Sequence, residues 1–105
     1  MTNLLKETIE CLNKNCKDTK DVEWIGIADN WIDWETFSKI ADINYDNGFG
    51  GAEINTSLII YGKGFWLERE EYDGAECWNF RQEIKKPKQK VNSFKILHSW
   101  EDDYV

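Results

Sequence analysis

Phe65-Trp66-Leu67-Glu68-Arg69-Glu70-Glu71-Tyr72-Asp73-Gly74-Ala75-Glu76-Cys77-Trp78-Asn79-Phe80 is the stretch on which the fold turns. Two runs of alternating apolar and charged residues flank Asp73-Gly74. That dipeptide suits the two central positions of a type I′ turn, both of which need positive φ. A two-residue loop there pairs Tyr72 with Ala75, Glu71 with Glu76, Arg69 with Trp78, and Leu67 with Phe80. One face of the hairpin then carries Phe65, Leu67, Arg69, Glu71, Glu76, Trp78 and Phe80, apolar at its base and charged at its tip. The other face carries Trp66, Glu68, Glu70, Tyr72, Cys77, Asn79 and Arg81. Glu71 opposite Glu76 sets like charges across a strand pair, which requires a cation nearby. Arg69 on the same face supplies one locally; a partner's Arg or Lys is the alternative.

Outward from the hairpin, Leu58–Tyr61 reads as a preceding strand, with Gly62-Lys63-Gly64 as a tight loop. Ala75–Ile84 is the returning strand, closed by Pro87, and Phe94–Leu97 is a candidate short fourth strand. Residues 3–16 read as an amphipathic helix with Leu4, Leu5, Thr8, Ile9, Leu12 and Cys16 on one stripe. Val22–Ala28 has strand character and Asp29-Asn30 turns the chain. Asp33 is the N-cap of a second helix from Trp34 to about Asn44, its apolar face made by Trp34, Phe37, Ile40, Ala41 and Tyr45. The expectation is one α+β domain spanning 1–105, with two helices packed on a three- to four-stranded antiparallel sheet.

With 105 residues, 41% of them apolar, the chain carries one core. Its longest apolar run, Leu58-Ile59-Ile60-Tyr61, is too short to cross a membrane. The N-terminal stretch has no apolar run of the kind a signal peptide needs, so a cytoplasmic location in a bacterial host is expected. Cys11, Cys16 and Cys77 form no CxxC pair and read as idle thiols. With His98 they make too sparse a set for zinc. No nucleophile motif accompanies that single histidine, and no pair of carboxylates stands apart from the rest. The chain is therefore read as a binding protein without catalytic residues or cofactor.

The net charge is −7 and unevenly spread. From Asp21 to Phe80 there are thirteen acids against Lys39, Lys63 and Arg69, while Lys85, Lys86, Lys88 and Lys90 gather around Pro87. Such a body repels phosphates and attracts a basic protein surface, so direct nucleic-acid binding is not expected. The lysine run reads as a solvated linker. The candidate partner-binding residues are Glu68, Glu70, Glu71, Tyr72, Asp73 and Glu76 at the hairpin tip, with Trp66 as an apolar anchor. A second candidate is a calcium loop over 42–53, with Asp42, Asn44, Asp46 and Glu53 at its first, third, fifth and twelfth places. Asn47 stands at the sixth place, where that loop requires glycine, and a strand pattern follows where the exiting helix belongs.

The run from Phe65 to Trp78, preceded by Tyr45-Asp46-Asn47-Gly48-Phe49-Gly50, resembles short accessory proteins of bacterial phages and mobile elements, over roughly residues 31 to 80. That population includes anti-CRISPR and other anti-defence proteins. The resemblance implies a small acidic inhibitor that occupies the nucleic-acid-binding surface of a CRISPR effector nuclease, and it assigns no residue a role. An immunity protein neutralising a basic nuclease toxin is the alternative within the same physical class.

Overall fold

The computed structural model describes residues 1–48 and 51–97. Its central feature is the hairpin of β6 (Phe65–Tyr72) and β7 (Ala75–Gln82), paired from Phe65↔Gln82 to Tyr72↔Ala75 in the expected register. Asp73 and Gly74 have φ of 51° and 84°, the left-handed pair that a type I′ turn demands. Working away from β6, β5 (Ile59–Gly62) pairs with it, then β2 (Val22–Ile27), then β3 (Asn30–Ile32). All of these pairings are antiparallel, in the order β3-β2-β5-β6-β7.

The sheet is thus larger than the three or four strands expected. The additional strand is β3, joined to β2 by a tight turn at Ala28-Asp29, one residue before the expected Asp29-Asn30 turn. Ala28 takes the positive φ, 51°, of that turn. β7 ends at Gln82, short of Ile84, and Glu83 makes one further bond, its N–H to the Gly64 carbonyl at 2.8 Å. Phe94–Leu97 forms no strand, and its side chains are exposed.

Both helices pack on one face of the sheet. α1 (Leu4–Lys14) buries Leu4, Thr8 and Leu12, an i, i+4, i+8 stripe. It stops before Cys16, whose φ of 60° turns the chain and leaves that side chain exposed, so Cys16 is not part of the stripe. α2 (Trp34–Ile40) starts at the expected cap, the Asp33 carboxylate accepting from the Thr36 N–H at 2.8 Å. It ends four residues earlier than expected because the chain has another use there. β4 (Asn44–Tyr45) pairs with β1 (Thr2–Asn3), and the carbonyls of Ala41 and Ile43 accept from the N–H groups of Leu5 and Leu4. Asn3 accepts from the Lys6 N–H at 3.0 Å. Three of the four orphan donors at the start of α1 are satisfied in this way.

Ile32, Ile25, Ile60, Leu67 and Phe80 lie side by side across the five strands and point toward the helices. Ile25, Ile60 and Leu67 are fully buried against Phe37, Leu4 and Leu12. Each of these side chains contributes about 1.5–3 kcal/mol through burial. Ile40, expected on the same apolar face, is instead 60% exposed, since α2 turns it toward the sheet's β3 edge.

One polar link crosses the core: the Trp78 indole donates to Thr8 Oγ1 at 2.8 Å, and Thr8 donates to the Leu4 carbonyl at 2.8 Å. Thr8→Val keeps the shape but strands the buried indole N–H. It is expected to cost about 1–3 kcal/mol in denaturant unfolding, whereas Thr8→Ser, which retains the acceptor, costs less than Thr8→Val. Equal losses in the two variants would show that the hydrogen bond is not what the site needs.

Candidate protein-binding face

The alternation that sends Ile25, Ile60 and Leu67 inward sends their neighbours to the opposite face, which no helix covers among the described residues. Trp24, Tyr61, Trp66 and Arg81 stand in one row across β2, β5, β6 and β7. Trp31, Gly26, Ile59, Glu68 and Asn79 stand in the next. Trp24 and Tyr61 stack with ring centroids 4.8 Å apart and planes 14° from parallel. Trp24 also lies over Gly26, where a Cβ would come within 2.7 Å of the indole. Glycine at that position lets the ring lie close to the strand. Trp24, Trp31, Glu23 and Asp29 line a cleft of about 410 Å³ on this side of the β2–β3 hairpin. Trp31 is 67% exposed.

The expected partner-binding residues divide between the two faces. Glu68, Glu70 and Tyr72 share the outer face with Trp66, and Tyr72 is 82% exposed. The Trp66 indole donates to Glu68 at 3.4 Å, and Glu68 pairs with Arg81 at 2.8 Å across the strands. Glu71 and Asp73 are exposed at the tip. Glu76 departs from the expectation of an exposed carboxylate: it is 3% exposed and fully occupied inside. One of its oxygens accepts from Arg69 at 2.9 Å and from the Ile54 N–H at 3.2 Å, and the other from the Glu53 N–H. The cation that the Glu71–Glu76 pair requires is Arg69, and it serves the inner member.

Arg69 joins more than this pair. Its side chain is 3% exposed and donates to the Tyr45 hydroxyl at 3.0 Å, with Glu7 3.5 Å away. It lies over the Trp78 ring at 4.6 Å. Tyr45 donates in turn to the Glu7 carboxylate. Burial pulls the guanidinium down, but the bonds and charges of Tyr45, Glu7 and Glu76 outweigh it, so Arg69 stays protonated above its ordinary value. Burial, and then the bond to Glu7, push the Tyr45 hydroxyl up to about 12.

The calcium-loop residues do not converge. Asn44 is extended in β4, and Asn44 and Asp42 both accept from the Asn3 amide. Asp46 accepts from the Gly48 N–H, and Glu53 accepts from the Asp46 N–H. Among the described residues no group of three or more His, Cys, Asp or Glu side chains is placed to hold a metal ion. Burial, then Glu7, push the Cys11 thiol above its ordinary value, which disfavours the thiolate. His98, Trp100 and Tyr104 lie outside the described residues, as do Phe49 and Gly50. No helix among the described residues is long and apolar enough to cross a membrane.

Reasoning from the sequence missed Trp24, Trp31 and Tyr61 as members of this face. The signal was present: Trp24 precedes Ile25 and Tyr61 follows Ile60, so each takes the face opposite a buried isoleucine. No family model, curated protein or solved structure matches the chain.

The Tyr45 hydroxyl gives the cluster a testable alkaline limit. Its folded value lies above its unfolded value near 10, so the stability it supplies is complete below pH 10 and is lost as the pH rises through about 12. The melting temperature is expected to fall across that window. Tyr45→Phe, lower in stability at pH 8, should lack that component of the fall. Parallel curves for the two proteins would remove Tyr45 as the cause.

Proposed function

We propose that this chain is an inhibitor that acts by binding: an anti-CRISPR-type protein that docks its acidic, aromatic outer face on the basic nucleic-acid-binding surface of a CRISPR effector nuclease. The observation that carries the reading is the sharing of one open face by carboxylates and aromatic rings. Glu68, Glu70 and Tyr72 follow one another along the same side of β6 as Trp66, with Glu71 and Asp73 at the tip. Trp24 and Trp31 open a second recess, flanked by Glu23 and Asp29.

The chemistry suits Arg and Lys. A carboxylate accepts two parallel N–H bonds from a guanidinium, and an aromatic wall receives its flat face or an ammonium. Such residues line channels built for phosphates, so the carboxylates take the phosphates' places while Trp66 and Tyr72 exclude water around them. The bases that would oppose this are engaged: Arg69 is internal, and Arg81 is paired with Glu68. The resemblance to phage accessory proteins directs the choice of partner toward a CRISPR effector.

Reversal of Glu70, Glu71 and Asp73 to Lys is expected to weaken binding to guide-loaded effector by about 100-fold or more, while the melting temperature stays nearly constant. Exposed charges contribute little to folding and much to steering and docking. Saturating the effector with target DNA should block binding of this chain. Raising salt should act mainly on the association rate, because screening removes steering beyond about 10 Å. Simultaneous binding of chain and DNA, insensitive to salt, would eliminate phosphate replacement. Binding with the same charge dependence to a basic nuclease toxin, and to no effector, would move the protein to the immunity class.

A further inference from the structure

Among the described residues, eight of the eleven large apolar side chains that are exposed fall into two groups. Ile27, Trp31, Ile40 and Ile43 surround the mouth of a cleft of about 530 Å³ between α2, the β2–β3 hairpin and residues 53–58. The other group is Val91, Phe94, Ile96 and Leu97 in the extended C-terminal segment. We propose that the cleft receives residues 91–97 of a second copy of this chain, so that two copies exchange their C-terminal segments reciprocally.

Charge supports the pairing. Lys85, Lys86, Lys88 and Lys90 lead directly into Val91, while Glu53 lines the cleft. An apolar segment behind a basic lead thus faces an apolar recess with a carboxylate in its wall.

In this structure the chain's own segment leaves the cleft open to a second copy: Glu83 bonds to Gly64, so the chain quits the sheet at the β7 edge, four strand spacings from the β3 edge at which the cleft opens, and Val91, Phe94, Ile96 and Leu97 all stay exposed. A two-fold arrangement then fills both clefts with the same contact.

The test is sedimentation of the full-length chain from about 1 to 200 μM near physiological salt. A monomer–dimer equilibrium is expected. Phe94→Glu and Ile40→Glu should each raise the dimer dissociation constant at least tenfold without lowering the melting temperature, since both side chains are exposed in the monomer. Mixed together, the two variants should form a heterodimer, because one retains an intact cleft and the other an intact segment. Three results would overturn the proposal: a monomer at every concentration, a dimer indifferent to both substitutions, or a monomer whose tryptophan emission shifts in Phe94→Glu, which signals docking within one chain.

Discussion

The buried guanidinium of Arg69 is the point on which the rest of the structure depends. It touches Glu76 on β7, Tyr45 on β4, Glu7 on α1 and the ring of Trp78. Through Glu76 it also fixes the backbone of Glu53 and Ile54, the segment that leads into β5. Removing these charges from water costs several kcal/mol per ion, and the cost is offset only when the remaining lone pairs and protons find partners. Both oxygens of Glu76 and both Arg69 terminal nitrogens do so. Among the described residues Arg69 Nε is the buried side-chain nitrogen without a partner. An arrangement so specific in geometry adds to the selection of one register. A one-residue slip of β6 would send Arg69 outward and set Glu70 against Glu7 and Glu76.

That constraint explains why the acids of the hairpin, contiguous in sequence, serve two purposes. Glu76 is a structural ligand of Arg69, whereas Glu68, Glu70 and Tyr72 are left on a face with Trp66, Tyr61 and Trp24. The internal cation faces the internal carboxylates, and on the outer face Arg81 offsets Glu68 alone, so the carboxylates of the tip keep their negative field. A surface of this kind attracts a basic partner at long range through its charge and holds it at short range through its rings. The two effects are separable in principle, because salt screens the first and leaves the second nearly intact.

The hairpin was legible because its information is local: Asp73-Gly74 sets the turn, and the alternation on either side sets the register. The start of α2 was legible for the same reason, since Asp33 caps it within one turn. β1, β3 and β4 are two or three residues long, too short to show a period, and they exist only because distant partners meet them. The shortened α2 follows from that pairing, because Ala41 and Ile43 give their carbonyls to α1. The exposure of Glu70, Glu71, Tyr72 and Asp73 at the tip was legible from the clustering of charge there. Glu76 was misplaced because nothing in its neighbours reveals the backbone N–H groups of Glu53 and Ile54. Trp24, Trp31 and Tyr61 escape a reading by composition, because only the side of the strand that each one takes separates a surface ring from a core ring.

The two surfaces outside the core differ in the kind of partner they fit. The outer face is acidic and aromatic, whereas the four lysines of the 85–90 run lead into an apolar segment suited to the cleft. The cleft and that segment are matched to each other in hydrophobicity and in charge, which is the condition for a self-complementary contact. In a reciprocal pair each copy keeps Trp66, Glu68, Glu70 and Tyr72 open, while Trp31, which borders both clefts, lies at the contact. Pairing then doubles the number of acidic hairpin faces. Where two basic sites lie within the span of the pair, the second contact forms at an effective concentration in the millimolar range and strengthens attachment with no new chemistry. Self-association is in this sense independent of recognition in structure and coupled to it in affinity.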